Sequence, residues 1–498
     1  MATYSGVTKN AMMRTESAMA SGATWSGLAS DSRLVKPGYL FAALNGAKTD
    51  GARFIADAVA RGATAVLGLP ALAPEVDALG VRFIADEEPR RRLAELAADY
   101  YRAQPTVIAA VTGTNGKTSV SVFLRQIWQH QGHKAASLGT IGLVSPFGVQ
   151  QLAHTTPDPV ELHGLLAELA GKGVQHLALE ASSHGLDQFR LDGVRLAAAA
   201  FTNISRDHLD YHPDFAHYLA AKCRLFRDLV PPAAPAVIYA DVPFADMVRA
   251  EAQAQHLRII SIGSGNNNEI QICETQSNPW GQVLRVKLMG RQFMVRLPLV
   301  GAFQAANALV AAGLAIGLGE SEEAVIAALA QLQGAPGRLE KVAHAQNGAA
   351  IFVDYAHTPD ALDNVLRAMR PHVAGRIIVV FGCGGDRDRG KRSLMGKVAD
   401  RLGDVVIVTD DNPRNEDAAK IRKEVREGCP GALEIGDRAA AIAAAIALLK
   451  QDVVLIIAGK GHETGQIVGG ELRPFSDREV ARASAEQTGG SAIATEAP

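Results

Sequence analysis

A glycine-containing loop that ends in Lys117–Ser119 is the stretch of this sequence with the clearest chemical meaning. It follows a short apolar run, Thr106 to Val111, and precedes a segment with apolar residues at helical spacing. Such a loop offers backbone N–H groups and a helix dipole to an anion, while a lysine adds charge and a hydroxyl can reach Mg²⁺. The spacing departs from GxxxxGK[ST], because Val111 stands where the first glycine is usual. We predict a variant phosphate-binding loop for a nucleoside triphosphate; a turn without a ligand is the alternative.

The composition is that of a globular protein with several domains. A chain of 498 residues is too long for one core and predicts about three domains. The formal net charge of −2 provides no general attraction to nucleic acid or to an anionic membrane, so neither is an expected partner. Any anionic ligand must therefore be held by local groups of cations.

The cysteines and the hydropathy pattern favour a cytoplasmic protein. The four cysteines, Cys223, Cys273, Cys383 and Cys429, form no CxxC pair and have no metal-ligand spacing, which is typical of free thiols. No signal segment is evident, and no apolar run approaches the roughly 20 residues of a membrane span. We expect a cytoplasmic enzyme that acts as a monomer.

Apolar runs alternate with helical segments along most of the chain, which predicts an α/β fold with mostly parallel sheets. We place a small α/β domain at 1–104, a central ATPase-type domain at 105–334 and a Rossmann-like domain at 335–498. Ligands collect at the carboxyl ends of parallel strands. Polar residues follow strands there in the central domain, and four apolar runs of the third domain break into Gly, Asp, His or Arg. The tail after Gln487 is predicted to be disordered.

Three further residues of the central domain are candidates for metal binding. Glu180 and His208 follow predicted strands and supply an oxygen and an imidazole, which suit a divalent cation. Each also has a structural interpretation, as a capping carboxylate and as a loop histidine. Lys222 lies on an amphipathic helix, FAHYLAAKCRLF, and its position alone predicts a solvated lysine on the helix face.

A set of motifs in all three predicted domains resembles the Mur ligases. The motifs are GTNGKTS at 113–119, TTPDP at 155–159, EASSHGL at 180–186, FTNISRDHLDYH at 201–212, GRLE at 337–340, DYAHTPD at 354–360, GCGGDRDRGKR at 382–392, DDNPR at 410–414 and GKGHE at 459–463. Within the family they are most similar to members that join meso-2,6-diaminopimelate to UDP-N-acetylmuramoyl-L-alanyl-D-glutamate in peptidoglycan synthesis. The resemblance implies that ATP phosphorylates the substrate carboxylate and that the incoming amine attacks the acyl phosphate.

The resemblance also assigns roles to individual residues. Mg²⁺ and Lys117 would neutralise the phosphates, and Lys222 would be a carboxylated lysine that binds the metal, which reverses the expectation of a solvated side chain. The implied catalytic residues are Lys117, Lys222, His208 and Glu180, and the implied metal-binding residues are Thr118, Glu180, His208 and Lys222. The implied ATP-binding residues are Gly113, Thr114, Asn115, Gly116, Lys117, Thr118, Ser119, Asn307 and Arg338. The pair before Asn307 is Phe303-Gln304, whereas the family usually has His-Asn or Phe-Asn there, so the resemblance does not extend to a purine contact from this pair.

The second substrate is the point at which related ligases differ. meso-Diaminopimelate carries a distal carboxylate that lysine lacks, and a guanidinium reads such a group with two hydrogen bonds. The motif ending in Arg414 resembles the diaminopimelate-recognition motif, so a lysine-adding or folylpolyglutamate-like ligase is the alternative. A third hypothesis is a P-loop switch or motor that hydrolyses ATP. The implied substrate-binding residues are Ser30, Ser32, Thr155, Thr156, Ser182, Gln188, Arg190, Arg387, Asp411, Asn412, Pro413, Arg414, Gly459 and Glu463.

Overall fold

The computed structural model describes residues 25–46, 49–205, 207–208 and 210–493. These residues form three β-sheets of four, eleven and seven strands with helices packed on them, and a separate two-stranded hairpin. This arrangement confirms the predicted α/β fold class. The strands are β1 (Gly27–Ala29), β2 (Tyr39–Ala42), β3 (Ala65–Gly68), β4 (Arg82–Ala85), β5 (Val107–Thr112), β6 (Ala135–Gly139), β7 (Gly142–Ser145), β8 (Gly148–Gln150), β9 (His176–Glu180), β10 (Ala198–Phe201), β11 (Pro235–Tyr239), β12 (Arg258–Gly263), β13 (Ile270–Asn278), β14 (Gly281–Leu288), β15 (Arg291–Leu297), β16 (Glu340–His344), β17 (Ala350–Asp354), β18 (Ile377–Phe381), β19 (Val405–Val408), β20 (Leu433–Glu434), β21 (Val454–Ala458), β22 (Gly465–Val468), β23 (Glu471–Pro474) and β24 (Ser491–Ala492). The α-helices are α1 (Ile55–Ala60), α2 (Ala73–Ala78), α3 (Pro89–Tyr101), α4 (Lys117–His130), α5 (Pro159–Gly171), α6 (Ser183–Asp187), α7 (Phe215–Arg224), α8 (Ala245–Ala254), α9 (Ala302–Gly317), α10 (Glu322–Leu329), α11 (Pro359–Met369), α12 (Lys391–Leu402), α13 (Ala418–Arg426), α14 (Arg438–Ala447) and α15 (Asp477–Gln487).

The first sheet is parallel and has the order β1-β2-β3-β4. Successive residues of its strands pack on opposite faces, as the two-residue period of a strand requires. Leu40 and Leu67 join the apolar cluster that contains Leu93 of α3, whereas Phe41 joins the cluster that contains Ile55 of α1. Both faces are therefore covered, which explains the continuous apolar runs in this part of the sequence.

The central sheet has the order β15-β14-β13-β12-β11-β10-β5-β9-β6-β7-β8. The strands from β6 to β13 in this order pair in parallel, while β14, β15, β7 and β8 extend the two edges in antiparallel fashion. Its register places Val111 beside Glu180 and Thr112 beside Phe201. The residues that follow β5, β9 and β10 consequently meet at one edge.

Two helices cover one face of this sheet and carry residues of the candidate site at their first turns. Phe123 and Ile127 of α4 share one buried apolar cluster with Leu309 and Ala312 of α9. The alanine-rich sequence of α9 has no bulky side chain at many positions, so the two helices and the sheet can pack closely. This packing brings the start of α9 to the loop before α4.

The third sheet has the order β20-β19-β18-β21-β17-β16-β24 and is parallel except for β16 and β24. Helices α11 to α13 pack on one face, and α14 and α15 pack on the other. The predicted disorder after Gln487 is wrong as far as residue 493, because Ser491 and Ala492 pair with His344 and Ala343. Both residues of this strand are exposed, so no buried apolar pattern in the sequence reveals the pairing. Residues 494–498 lie outside the described residues.

The described chain forms two compact units. One contains the residues up to Arg102 together with Asp158–Ala167 and Gln188–Val194, and the other contains the remainder. The predicted domain boundaries at 104/105 and 334/335 stay predictions. In the part of the chain that the structure describes, no helix combines the length and apolar character needed to cross a membrane.

Candidate active site

The loop between β5 and α4 depends on two glycines. Gly113 and Gly116 have φ angles of +152° and +89°, which lie in or near the region that side chains with a Cβ avoid. A Cβ at Gly113 would also overlap the Thr202 hydroxyl, and one at Gly116 would overlap the Asn307 amide oxygen. The loop is therefore held tightly between neighbouring elements, with its helix N-terminus turned to the carboxyl edge of the sheet.

Two lysines converge on one carbonyl of this loop. Lys117 Nζ donates to Gly113 O and to Thr114 O, each at 2.8 Å, and Lys222 Nζ donates to Gly113 O at 2.8 Å. Burial lowers the pKa of Lys117. Burial also lowers the pKa of Lys222 well below its usual value, and the positive charge of Lys117 lowers it further. The Lys117 ammonium beside neutral carbonyl oxygens leaves positive charge that an anion can neutralise.

The prediction that Lys222 is a solvated lysine on the helix face is wrong. Its side chain is 1% exposed, and its ammonium lies 4.5 Å from the centre of the Tyr218 ring. The helix α7 packs with this side against the phosphate loop, and Tyr218 in turn bonds to Thr114 through their hydroxyls at 2.8 Å. Helical periodicity indicates which residues share a side but not which element covers it.

Glu180 ends β9 and lies inside the same edge. It is 1% exposed; its Oε1 accepts the Thr140 N–H at 2.9 Å, and its Oε2 accepts the hydroxyls of Thr118 at 3.2 Å and Thr140 at 3.0 Å. Gly139 has no room for a Cβ, because that atom would overlap the Glu180 carboxylate. Sequence analysis missed Thr140, although its position just after β6 is a strand end of the kind that drew attention to Glu180.

His208 lies in the same region but in a more open position. It has a φ angle of +53°, and its side chain is 42% exposed with Nε2 3.6 Å from Asp207 Oδ2. Partial burial lowers the pKa of His208, Asp207 raises it, and the charges of Lys117 and Lys222 lower it. An uncharged imidazole beside the two lysines is a suitable metal ligand.

Asn307 of α9 lies against Gly116 of the phosphate-binding loop and is held by two side-chain amide contacts. Asn307 Nδ2 donates to Gln304 Oε1 at 3.2 Å, and Gln304 Nε2 donates to Arg338 O at 2.7 Å. Gln304 is buried and engaged in this way, while Phe303 packs against the apolar cluster of the third sheet. These contacts of Gln304 position Asn307.

Arg338 supplies a further cation near the loop. Its guanidinium lies 4.7 Å from the centre of the Tyr355 ring, and its buried Nε atom has no hydrogen-bond partner among the described residues. A buried donor without a partner is costly, and a bound anion would satisfy it. Together with the helix N-terminus and the two lysines, this donor fits the phosphates of a nucleotide.

A group of hydroxyls lies beside Glu180. Thr156 Oγ1 donates to Glu180 O at 2.9 Å and lies 3.0 Å from Ser182 Oγ, and Ser182 N donates to Thr156 Oγ1 at 3.1 Å. The Thr155 hydroxyl lies 3.2 Å from that of Thr140. The structure thus brings together three of the residues predicted to bind substrate, Thr155, Thr156 and Ser182.

The remaining predicted substrate residues of the first half belong to the smaller compact unit. Ser30 Oγ donates to Asp158 Oδ2 at 3.0 Å, and Ser32 is buried at the start of a short 3₁₀ turn. Arg190 Nη2 donates to Gln188 Oε1 at 2.8 Å. Within this unit the arginine and the glutamine therefore orient one another.

The third sheet builds a second polar centre at its carboxyl edge. Asn412 Nδ2 donates to Glu463 Oε2 at 3.1 Å, and Asn412 Oδ1 accepts Lys460 Nζ at 3.1 Å and Ile467 N at 2.9 Å. Lys460 is fully buried and also donates to Glu463 Oε2 at 3.0 Å. Lys460 was not among the predicted site residues, although it stands inside the GKGHE motif between two of them.

Close backbone contacts shape this centre. Gly459 has a φ angle of +119°, and a Cβ there would lie 2.7 Å from Asp411 Oδ2. Arg414 has a φ angle of +53°, and its Nη1 donates to Gly385 O at 2.8 Å. Pro413 is buried beside Gly385, whereas Arg387 is exposed in the loop that follows β18. One guanidinium nitrogen of Arg414 is thus anchored, which orients the rest of the group.

Three family descriptions match successive parts of this chain. The Mur ligase family catalytic domain matches residues 24–101, the Mur ligase middle domain matches residues 111–315, and the Mur ligase glutamate ligase domain matches residues 337–461. The order of these matches agrees with the order of the three sheets.

Curated relatives resemble the whole chain. UDP-N-acetylmuramoyl-L-alanyl-D-glutamate–2,6-diaminopimelate ligase of Bradyrhizobium diazoefficiens is 56% identical over 92% of this chain and 94% of its own length. The enzyme of the same name from Agrobacterium fabrum is 53% identical over 94% of each chain.

Solved structures share the fold. A structure of UDP-N-acetylmuramoyl-L-alanyl-D-glutamate–2,6-diaminopimelate ligase matches with a TM-score of 0.72 and 34% identity, covering 93% of this chain and 95% of the other. A MurF ligase of Thermotoga maritima in complex with ADP shares the fold with a TM-score of 0.59 at 17% identity, covering 93% of this chain and 97% of the other. From these matches, this chain belongs to the Mur ligase family of ATP-dependent, amide-bond-forming ligases.

Proposed function

We propose that this enzyme uses ATP to join meso-2,6-diaminopimelate to the D-glutamate of UDP-N-acetylmuramoyl-L-alanyl-D-glutamate in peptidoglycan synthesis. The observation that carries the mechanism is the convergence of Lys117 and Lys222 on Gly113 O beside the buried Glu180. The relatives that share more than half of their residues with this chain bear the name of this activity. Use of ATP and a nucleotide-linked peptide agrees with the cytoplasm as the place of reaction.

The loop at 113–119 holds the nucleotide in this proposal. Backbone N–H groups at the start of α4 and the Lys117 ammonium face the phosphates, because both lie at the positive end of the helix. The unpartnered Nε of Arg338 adds a donor, and Asn307 is positioned by Gln304 for the adenine side. The cations hold the transferred phosphate near the substrate carboxylate. Without them, these two negatively charged groups would repel one another.

The metal-binding residues in this proposal are Thr118, Glu180, His208 and Lys222. Mg²⁺, when bound, would neutralise charge on the transferred phosphate. Lys222 is suited to carboxylation because its burial and the adjacent Lys117 favour the neutral amine, which is the form that can react with carbon dioxide. As a carbamate, Lys222 would provide an oxygen ligand and turn its side chain from a competing cation into a partner of Lys117.

Hydroxyls and an arginine are the proposed contacts of the muramoyl dipeptide substrate. Thr155, Thr156 and Ser182 lie next to Glu180 and suit the amide and carboxylate groups of the muramoyl dipeptide. Ser30, Ser32, Gln188 and Arg190 would hold the remainder of that substrate. Attack by the amine on the acyl phosphate forms the amide and releases phosphate, so the loop must retain phosphate charge until the bond has formed.

The motif Asp411–Arg414 would select the amino acid. Arg414 is anchored by one nitrogen on Gly385 O, so its planar group can present other N–H donors to the distal carboxylate of diaminopimelate. The network of Asn412, Lys460 and Glu463 supports this motif and offers a carboxylate to an amino group. Arg387 and Gly459 complete the proposed amino-acid site.

A ligation assay with both amino acids tests the proposal. The full chain is incubated with ATP, Mg²⁺, UDP-N-acetylmuramoyl-L-alanyl-D-glutamate and either meso-diaminopimelate or L-lysine, and product is identified by intact mass. We expect a diaminopimelate product and phosphate release that depends on both co-substrates. Equal or better use of lysine would favour the lysine-adding alternative, and ATP hydrolysis without either co-substrate would favour a switch or motor. In a parallel incubation with ATP, a folate and L-glutamate, ligation of the glutamate would favour the folylpolyglutamate-like alternative.

A further inference from the structure

Three potential metal ligands meet at the amino-terminal end of the central sheet, away from the proposed site of ligation. His133 lies in the turn after α4, His176 is the first residue of β9, and Glu320 follows α9. One ligand atom from each side chain lies within 4.8 Å of the others. Glu180 stands at the opposite end of β9, about 13 Å along the strand from His176. The group is therefore separate from the proposed magnesium site.

The side chains are already directed at one another. His133 Nε2 lies 2.8 Å from Glu320 Oε1, and the rings of His133 and His176 have centres 4.2 Å apart at an angle of 32°. The His176 Nδ1 atom is buried and has no hydrogen-bond partner among the described residues. A buried polar nitrogen without a partner is costly, and a ligand at this point would remove that cost.

The His176 ring is neutral, so one of its ring nitrogens keeps a lone pair. Burial lowers the pKa of His176 to about 4, and the neighbouring His133 lowers it as well. The ring is thus neutral at physiological pH, and a neutral imidazole is the form that binds metals. The indole of Trp128, with its ring centre 5.0 Å from that of His176, forms an apolar wall beside the pair.

Backbone hydrogen bonds hold all three positions. His133 N donates to Trp128 O at 3.0 Å, His176 N donates to Lys134 O at 3.4 Å, and Glu320 N donates to Ala315 O at 3.1 Å. The Gln131 amide, when its nitrogen is turned to Glu320, donates to that carboxylate and orients it. The ligands come from three separate segments, so their approach is a product of the tertiary fold.

We propose that His133, His176 and Glu320 bind a divalent transition-metal ion, with Zn²⁺ as the probe, at a site that stabilises the fold. Two imidazoles and one carboxylate form a ligand set that suits Zn²⁺ and similar ions. Bonds of about 2.0–2.2 Å require the ligand atoms to move by only about half an ångström. The ion replaces the hydrogen bond between His133 and Glu320, and His133 then keeps its proton on Nδ1. The bound ion ties the end of the phosphate-loop helix to β9 and to α9.

The test uses the full chain, freed of metal by a chelator and then titrated with Zn²⁺ in excess Mg²⁺. We expect the wild type to retain one Zn²⁺ per chain after gel filtration and to melt at a higher temperature with Zn²⁺ than without. Glu320→Gln and His176→Asn each remove one ligand at similar size and should weaken Zn²⁺ binding at least tenfold. His130→Asn removes an exposed histidine at the end of α4, three residues before His133, and is the matched control, with unchanged binding.

Three results would overturn the proposal. A wild type that retains no Zn²⁺ and shows no change in melting temperature has no such site. If the wild type, Glu320→Gln and His176→Asn all retain Zn²⁺ equally, the ion is bound elsewhere. Co²⁺ absorption of the wild type provides an independent readout that needs no variant to fold: nitrogen ligation produces visible bands, and their absence contradicts the assignment. None of these outcomes depends on the ligase activity.

Discussion

Replacing Arg414 should change which amino acid this enzyme uses, more than how well it uses ATP. The distal carboxylate of meso-diaminopimelate is absent from lysine, and the guanidinium can bind it with a pair of charge-assisted hydrogen bonds. A hydrogen bond to a charged group contributes about 1.5–3 kcal/mol, and every 1.4 kcal/mol corresponds to a factor of ten. We therefore expect Arg414→Ala to lower kcat/KM for meso-diaminopimelate by at least roughly 10- to 150-fold, the effect of losing one of the two bonds.

The structure also predicts the side effects of this change. Arg414 has a φ angle of +53°, but alanine and lysine both carry a Cβ, so neither substitution alters the backbone strain. Loss of the bond from Nη1 to Gly385 O removes about 1.5–3 kcal/mol of stability, which is less than the roughly 5–15 kcal/mol that holds a typical protein folded. Arg414→Lys keeps the charge but cannot form the planar two-bond contact, so it should lose most of the selectivity as well.

The assay measures kcat/KM for meso-diaminopimelate and for L-lysine in each variant, with ATP saturating. The control is Arg389→Ala, which removes an exposed arginine that pairs with Glu416 in the neighbouring loop. We expect the preference for diaminopimelate over lysine to fall with Arg414 and to persist in the control. An unchanged preference in Arg414→Ala would refute the assignment of Arg414 to the distal carboxylate, whatever the change in overall rate.

Three further changes follow from buried charges. Lys222→Ala should abolish ligation and regain part of the activity when a short carboxylic acid is added, because the missing group is a metal-binding anion. The control is Lys172→Ala, at an exposed lysine paired with Glu168. Full activity of Lys222→Ala without added acid would contradict the role of Lys222. Burial lowers the pKa of His462 from 6.5 to about 4, so the unfolded chain takes up a proton first and stability present above pH 6.5 is lost as the pH falls towards 4. Urea unfolding of His462→Asn should show a smaller loss over that range, and an identical pH profile would remove His462 as a cause. Arg438→Ala should lower the free energy of unfolding by about 3–5 kcal/mol, because it leaves the buried Asp477 carboxylate uncompensated, and a change below about 1 kcal/mol in denaturant unfolding would contradict this.

Much of the fold follows from local patterns in the sequence. The apolar run at 106–111 becomes the strand β5, and the helical spacing after it becomes α4. These elements are specified by residues within a few positions of one another, since periods of two and of 3.6 decide which side chains can be buried together. The antiparallel strands β13–β15 were not predicted, although Met289-Gly290 separates alternating residues there and Gly290 has a φ angle of +94°.

The family could be recognised from the motifs, because they contain chemically distinctive residues at the ends of strands. Glu180, Lys117 and Arg414 could be selected from the printed sequence alone, since their chemistry and their place after apolar runs agree. Their roles in ATP, metal and amino-acid binding stay predictions. The order of the motifs along the chain was enough to indicate a ligase rather than an isolated phosphate loop.

The contacts of these residues were decided by tertiary structure. Lys222 is buried because α7 packs against a loop 109 positions away, and no local period encodes that distance. Gln304 positions Asn307 through the backbone of Arg338, and His133, His176 and Glu320 meet only because α4 and α9 end where β9 begins. The sequence by itself determined the elements and the chemical groups they carry. Only the packing of distant segments decided which of those groups share an environment, and therefore which pKa values shift and which ligands can act together.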